Sequence, residues 1–190
     1  AEGNYYNQNT VIVDIIPVGE AAVGIPLLKE WNFNRFNKLE NNLDTEYGYI
    51  FQNYNTGLEY GYGHVANPKA LRVALNDNIN NAGTEPATKT HSPIIGFAYD
   101  GNPIYGAFGY EDPLDSTSSI TRMTSSYSLN GTRREGPSLT TYPLGSFNND
   151  YTYTHKSGTL DENNGRFCIT PDFPQGTYAY FITIDSNQVP

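Results

Sequence analysis

Residues 91–110 read HSPIIGFAYDGNPIYGAFGY, and they hold the strongest strand and turn signals in the chain. An apolar run from Ile94 to Ala98 leads into the turn sequence Asp100-Gly101-Asn102-Pro103, and a second run follows from Ile104 to Tyr110. Proline fixes φ and has no backbone N–H, so Pro103 is expected where a strand starts or bends. The pattern predicts two strands around a turn, within a β core that has a shaped pocket or groove.

The composition agrees with a β-rich fold. Tyrosine is unusually frequent, at 16 of 190 residues, and Asn, Thr and Gly are also abundant. Tyr and Thr favour strands, whereas Asn and Gly favour turns. A chain of this length can bury one sizeable core. We therefore predict a mostly β, sandwich-like domain with long ordered loops.

One short helix is expected near residues 68–75. Asn67 is a favoured N-cap residue, Pro68 suits the first helical position, and good helix formers follow. No other segment of the chain carries as clear a helix signal. The helix is therefore predicted as a single helical element in a β domain.

Two segments in the second half of the chain carry strand or hairpin signals. Residues 176–185 form the clearest strand pattern, in which Tyr178 and Tyr180 alternate and so face the same side of a sheet. Asn130-Gly131 is a strong signal for a two-residue hairpin. Asn130-Gly131-Thr132 is also an N-glycosylation sequon, so Asn130 is a candidate modification site.

A β-branched run near the N-terminus predicts a strand arm. Val11, Val13 and Ile15 would face one way along this strand. The strand either completes the domain's own sheet or pairs into the sheet of a neighbouring subunit, as in filaments built by β-strand addition. We accordingly divide the chain into an arm and linker, residues 1–24, and a β domain, residues 25–190.

The charge and cysteine content narrow the classes of partner. The chain has 11 basic against 20 acidic residues, a net charge of −9, which argues against nucleic acid because phosphate binding needs clustered cations. That balance is compatible with a secreted or virion protein and with cation binding. Cys168 is the single cysteine, so no intrachain disulfide forms, and we expect it to be buried. No apolar run approaches the ~18 residues of a membrane span.

Several segments together carry a family resemblance. They are Asn67-Pro68 with the predicted helix, His91 to Gly106, Gly109 to Pro113, and Leu160 to Pro171 continuing into Phe173 to Phe181. With them the chain resembles, over residues 25–187, the YHYH-domain family of extracellular and phage-structural β modules, named after a Tyr-His-Tyr-His motif. The resemblance implies a β fold and an extracellular, cell-surface or virion location rather than a particular chemistry.

The chain departs from that family at the motif itself. The motif falls at Tyr60-Gly61-Tyr62-Gly63, where glycine replaces both histidines, and a single histidine, His64, follows. A metal or proton-transfer role that needs two paired imidazoles is therefore not expected here.

Candidate ligand-binding residues lie near the family motifs. One hypothesis brings His64 and His91 to Asp100 as a histidine–carboxylate pair; the alternative is that each histidine is structural and hydrogen-bonded. Surface tyrosines stack on sugar rings, so glycans are candidate ligands, with structural tyrosine packing as the alternative. The candidate ligand-binding set is Asp100, Asn102, Tyr105, Tyr110, His64 and His91.

Calcium is the candidate cofactor, because hard cations prefer oxygen ligands from carboxylates, amides and carbonyls. None of the acidic clusters matches an EF-hand loop, and such clusters commonly form turns instead. The candidate metal ligands are Asp100, Glu111, Asp112, Asp115, Asp161 and Glu162.

These observations favour a protein that is not an enzyme, because no nucleophile elbow, zinc pattern or phosphate-binding glycine loop is present. The preferred function is a structural subunit or module of an extracellular assembly, a surface filament or a phage appendage, joined as a homo-oligomer by N-terminal strand exchange. The alternative is an extracellular module that binds calcium or glycans. An enzyme, the third possibility, would need a histidine–carboxylate pair in an open cleft.

Overall fold

The computed structural model describes residues 43–52, 60–64, 66–98 and 100–190. The predicted arm, with Val11, Val13 and Ile15, lies outside the described residues. In chain order the elements are β1 (Gly48–Gln52), β2 (Tyr60–His64), α1 (Lys69–Ala74), β3 (Ile94–Phe97), β4 (Pro103–Tyr105), β5 (Phe108–Tyr110), β6 (Ile120–Arg122), β7 (Tyr127–Leu129), a 3-10 turn (Asn148–Asp150), β8 (Tyr151–Tyr153), β9 (Gly165–Cys168) and β10 (Thr177–Phe181).

The central element is a four-stranded sheet with the order β3-β4-β10-β9. Strand β10 is parallel to β4 and antiparallel to β9, and β3 is antiparallel to β4. The pairs β1–β2, β5–β6 and β7–β8 are separate two-stranded antiparallel ladders. The prediction of a mostly β fold with one short helix is confirmed for the described residues, while the sandwich-like arrangement stays a prediction.

The apolar run from Ile104 to Tyr110 forms two strands rather than one. Strand β4 belongs to the four-stranded sheet, and β5 pairs with β6. The break lies at Gly106, where an added Cβ would lie only 2.8 Å from the hydroxyl oxygen of Ser92. Only a residue without a side chain fits so close to Ser92, so position 106 requires glycine.

The helix lies where it was predicted, but the predicted cap was wrong. It begins at Lys69, Pro68 occupies the N-cap position, and no side chain caps the helix. The side chain of Asn67 is buried and contacts Arg72 and Gln188 instead. A buried guanidinium that needs an acceptor has therefore overridden the local capping preference.

The predicted hairpin at Asn130-Gly131 was also wrong, because β7 pairs with the distant strand β8. The Arg133 guanidinium holds Asp150 through two hydrogen bonds of 2.7 and 2.6 Å, and Asp150 immediately precedes β8. This bidentate pair brings β8 beside β7. The intervening residues form a loop around it.

Two apolar clusters contain residues of strand β10 and of the segment that directly follows it. The first contains Tyr105, Met123, Leu160, Cys168, Ala179 and Phe181, with Ile94 packed against it. The second contains Ala107, Phe108, Ile182 and Ile184, with Ile95 and Ile120 against it. Both clusters draw residues from 104–108 and from 179–184, so these two segments form the centre of the described core.

Candidate functional site

His91 lies among aromatic rings on one side of the four-stranded sheet. Its ring centroid is 5.1 Å from that of Tyr105, 4.9 Å from that of Tyr110 and 6.0 Å from that of Phe181. Its Nδ1 is 2.8 Å from the Ser92 carbonyl oxygen, a contact that requires the proton on Nδ1. Burial lowers the pKa of His91, and the nearby Arg166 lowers it further. The neutral Nδ1–H tautomer therefore leaves a lone pair on Nε2.

Within the described part of the chain, Nε2 of His91 is buried and has no hydrogen-bond partner. A neutral imidazole nitrogen with a lone pair can accept a proton or bind a metal. However, no group of three or more His, Cys, Asp or Glu side chains that could hold a metal ion occurs among residues 43–52, 60–64, 66–98 and 100–190. His91 therefore offers one lone pair, on Nε2, in an aromatic environment.

Tyr105 connects this aromatic environment to the turn after β9. Its ring stacks on Phe181 at 5.5 Å. Its hydroxyl is 2.8 Å from the Thr170 hydroxyl and donates to an Asp172 carboxylate oxygen at 3.0 Å. Burial is the main cause that raises the pKa of Tyr105, and the Asp172 charge adds to it. Tyr105 consequently remains a phenol and acts as a donor.

Arg166 and Cys168 lie on β9, next to the same aromatic rings. Arg166 donates to the Tyr110 carbonyl oxygen at 2.5 Å, and its guanidinium lies 5.5 Å from the centroid of Phe181. Burial raises the pKa of the Cys168 thiol, although the neighbouring guanidinium of Arg166 opposes that shift. Cys168 is fully buried, as expected, and stays protonated at neutral pH.

Asp100 lies on the opposite side of the sheet from His91. Its carboxylate accepts from the Tyr180 hydroxyl at 2.6 Å and from the Asn102 N–H at 2.9 Å. Partial burial alone would raise the pKa of Asp100, but the hydrogen bonds from Tyr180 and Asn102 bring it below its usual value. Tyr180 and Phe181 are consecutive on β10 and point to opposite faces. Asp100 therefore lies on the face opposite to the rings around His91.

The hypothesis that paired His91 with Asp100 is therefore not supported. The carboxylates whose charges act on His91 are Asp172 and Asp77. Tyr105 and Tyr110 share the His91 side, whereas Asp100 and Asn102 form the turn on the other side.

His64 lies away from both places, at the end of β2. Its Nδ1 is 2.9 Å from the Glu46 carbonyl oxygen. The Glu46 carboxylate accepts from the Ala70 N–H at 2.5 Å and so contacts the first turn of α1. Glu46 and Lys69 line a polar cavity of about 260 Å³ beside that helix. The structure thus divides the predicted ligand-binding set among three places.

Besides Asp100, three of the acidic residues predicted as calcium ligands accept hydrogen bonds from the backbone of their own turns. Asp112 accepts from the Leu114 N–H at 2.9 Å, and Asp115 accepts from Thr117 N–H at 2.8 Å. Asp161 accepts from the N–H groups of Asn163 and Gly165 at 2.8 and 3.1 Å. The backbone of Glu111 donates to Ser119, and the carbonyl of Glu162 accepts from Tyr127. Calcium binding at these residues stays a prediction.

Asn130, the predicted glycosylation site, is half-buried beside β8. Its amide nitrogen donates to the Asn149 carbonyl at 3.3 Å, and its amide oxygen accepts from the Thr152 hydroxyl at 2.7 Å. In this conformation the amide nitrogen, to which a glycan would be attached, donates to the backbone at an exposed position.

The outer face of the sheet carries aromatic rings, and we call Phe167, Tyr178 and Tyr180 the aromatic face. Phe167 is directly opposite Tyr178 in the β9–β10 ladder, so the two side chains share one face. The rings of Tyr178 and Tyr180 are perpendicular, with centroids 5.2 Å apart. Phe167 is 59 % exposed. The alternation of Tyr178 and Tyr180 was evident from the sequence, but Phe167 joins them only through the pairing of β9 with β10.

The His91 environment and the aromatic face are both built from segments that the sequence links to one family. No helix in the described ranges is long and apolar enough to cross a membrane. The chain matches no curated protein and no solved structure. The family model described as YHYH protein matches residues 3–190, which is essentially the whole chain and includes most of the segment predicted as an arm. The chain therefore belongs to the YHYH family.

Proposed function

We propose that this chain is a structural module of an extracellular assembly, either a surface filament or a phage appendage, and that it is not an enzyme. The observation that carries this proposal is the set of contacts made by the side chains of residues 91–110. Their histidine, serine and tyrosine side chains contact one another and the neighbouring strands, so groups capable of chemistry serve internal packing. The protonated, buried thiol of Cys168 is consistent with the same use.

A network of buried polar side chains supports the proposal because it braces distant parts of the module. Asp77 accepts from Arg72 at 2.5 Å and from the Ser92 hydroxyl at 2.6 Å. Arg72 also donates to the side chain of Gln188 at 2.7 Å. Helix α1, the segment 91–110 and the region around Gln188 are thus joined through one carboxylate and one guanidinium. Such cross-bracing suits a module that must keep its shape within an assembly.

Assembly itself is assigned to the predicted arm, residues 1–18. Sedimentation of the full chain and of the chain without these residues tests the assignment over a range of concentrations. The full chain is expected to form large species whose size rises with concentration, and the shortened chain to remain a monomer. Circular dichroism on both proteins checks that the β domain still folds. A shortened chain that assembles as the full chain does would refute the arm.

The second candidate function is an extracellular module that binds glycans or calcium. The exposed aromatic face favours the glycan form, because sugar rings stack on aromatic rings held at a protein surface. Calorimetry with calcium chloride and with a glycan panel tests this candidate. Heat in either titration supports binding, and silence in both refutes it while leaving the assembly proposal untouched.

A further inference from the structure

We propose that the aromatic face is a binding site for neutral polysaccharide. This inference deepens the second function proposed above and does not depend on assembly through the arm. It gives a place and a ligand chemistry: the outer side of β9 and β10, and uncharged sugar rings.

The ring of Phe167 lies with one edge close to the backbone of Gly176. A Cβ added to Gly176 would lie 2.7 and 2.9 Å from two atoms at that edge of the Phe167 ring, so only glycine leaves room for the ring. Gly176 also has a φ of +96°, which L side chains rarely adopt. One edge of the Phe167 ring is therefore positioned by the glycine, and the residue remains 59 % exposed.

The two tyrosines of the aromatic face are also fixed. Tyr178 donates its hydroxyl proton to Asp161 at 2.7 Å, and its ring lies across Gly165, where a Cβ would come within 2.6 Å of a ring carbon. Tyr180 donates to Asp100 at 2.6 Å. Rings fixed before a ligand arrives lose little side-chain entropy on binding. The site is thus pre-organised.

The polar groups at the edges of the rings match the other half of a sugar. A carboxylate has about four lone-pair positions. Asp100 accepts from the Tyr180 hydroxyl and the Asn102 N–H, and Asp161 accepts from the Tyr178 hydroxyl and from two backbone N–H groups. About one position on each carboxylate therefore remains for a sugar hydroxyl. The C–H side of a sugar packs on an aromatic ring, while its hydroxyls need acceptors at the rim. Strands β9 and β10 supply the rings, and the turns that precede β4 and β9 supply the acceptors Asp100 and Asp161.

Charge determines which ligands the aromatic face can bind. The chain carries a net charge of −9, and Asp100 and Asp161 add two negative side chains beside the aromatic face. Sulfated or uronic-acid polymers would be repelled, and so would the same face of a second copy. A neutral polysaccharide carries the required C–H surfaces and hydroxyls without that repulsion.

Affinity electrophoresis of the full chain tests the site, in gels containing soluble cellulose ether, β-1,3-glucan, galactomannan or, as acidic comparisons, alginate and heparin. We expect retardation by at least one neutral polymer and none by the acidic two. Phe167→Ala should weaken that retardation about tenfold, the scale of one lost ring contact. The matched control is Phe97→Ala on β3, because Phe97 is 53 % exposed and lies outside the aromatic face.

Three outcomes would overturn the inference: no retardation by any neutral polymer, equal retardation of the parent and Phe167→Ala, or stronger retardation by the acidic polymers. Sedimentation of Phe167→Ala separates sugar binding from self-association. A loss of dimers in that variant would assign the aromatic face to a second copy instead. Assembly by the parent chain together with no glycan retardation would reject the site but keep the structural proposal.

Discussion

The Arg72 guanidinium lies 2.5 Å from the Asp77 carboxylate, and both side chains are fully buried. Each group has further hydrogen bonds, to Asn67 and Gln188 on one side and to Ser92 on the other. A buried pair of this kind is tolerated because both charges are compensated. Through Gln188 and Ser92 the pair also joins parts of the chain that are far apart in sequence, so we expect the stability of the domain to depend on it.

Removing one partner of this pair should be strongly destabilising. We expect Arg72→Met to lower the free energy of unfolding by about 3 kcal/mol or more, because the Asp77 charge is left buried and uncompensated. Urea denaturation measures the difference. Lys89→Met is the control, since Lys89 lies 3.5 Å from Glu85 in a partly exposed pair whose loss costs less than about 1 kcal/mol. Equal effects of the two substitutions would contradict the bracing role.

The stability of the domain should fall on mild acidification because of His91. Burial holds the pKa of His91 below its usual value of about 6.5, so the unfolded chain binds the proton more readily. The stabilisation is fully present above the unfolded pKa and is lost as the pH falls towards the lower, folded pKa. The slope contributed by this one group is at most about 1.4 kcal/mol per pH unit.

His91→Phe keeps a ring in the aromatic environment and removes the titration. Urea denaturation between pH 7 and pH 5 should therefore give a shallower pH dependence for this variant than for the parent. His155→Gln is the control, because His155 is exposed on the loop after β8. A variant that follows the parent curve would show that His91 is not the titrating group.

Asp100 and Tyr180 should stabilise the domain as a pair. Each single variant, Asp100→Ala or Tyr180→Phe, removes the same 2.6 Å hydrogen bond at a partly exposed position. We expect a coupling free energy of about 1 kcal/mol in a double-mutant cycle measured by urea denaturation. Additive effects of the two substitutions would mean that the hydrogen bond contributes nothing to stability.

Gly176 should tolerate alanine poorly for two reasons that can be separated. It combines a positive φ with the close approach of the Phe167 ring. Gly83 has a positive φ as well, but nothing lies within 4 Å of an added Cβ. Gly83→Ala therefore measures the backbone strain alone, about 1 kcal/mol. Thermal unfolding should show a larger loss of stability for Gly176→Ala than for Gly83→Ala. Equal losses of stability would mean that the ring contact is unimportant.

The elements that the sequence predicted correctly are those that depend on residues close together in the chain. The helix at Lys69–Ala74 and the strand at Thr177–Phe181 follow from propensity and alternation over a few residues. The proline after the Asp100 turn likewise marks the start of β4. These elements lie within the predicted segments because nothing distant competes with them.

The predicted helix cap and the predicted hairpin were wrong because residues there contact partners far away in the sequence. Asn67 forms a hydrogen bond with Gln188 rather than capping the helix, and Asn130-Gly131 is bypassed because Arg133 holds Asp150. The aromatic face depends in the same way on register, since Phe167 meets Tyr178 only when β9 pairs with β10. No local pattern encodes these contacts, so the sequence could suggest site residues but not their grouping.

Electron microscopy of the purified chain tests the structural proposal most directly. The full chain, the chain without residues 1–18 and the single variant Val13→Lys are compared at one moderate concentration. We expect polymers of the full chain and separate particles of the other two, since a lysine on the apolar side of the arm blocks its pairing. Separate particles of the full chain, or polymers unaffected by the deletion, would refute assembly through the arm.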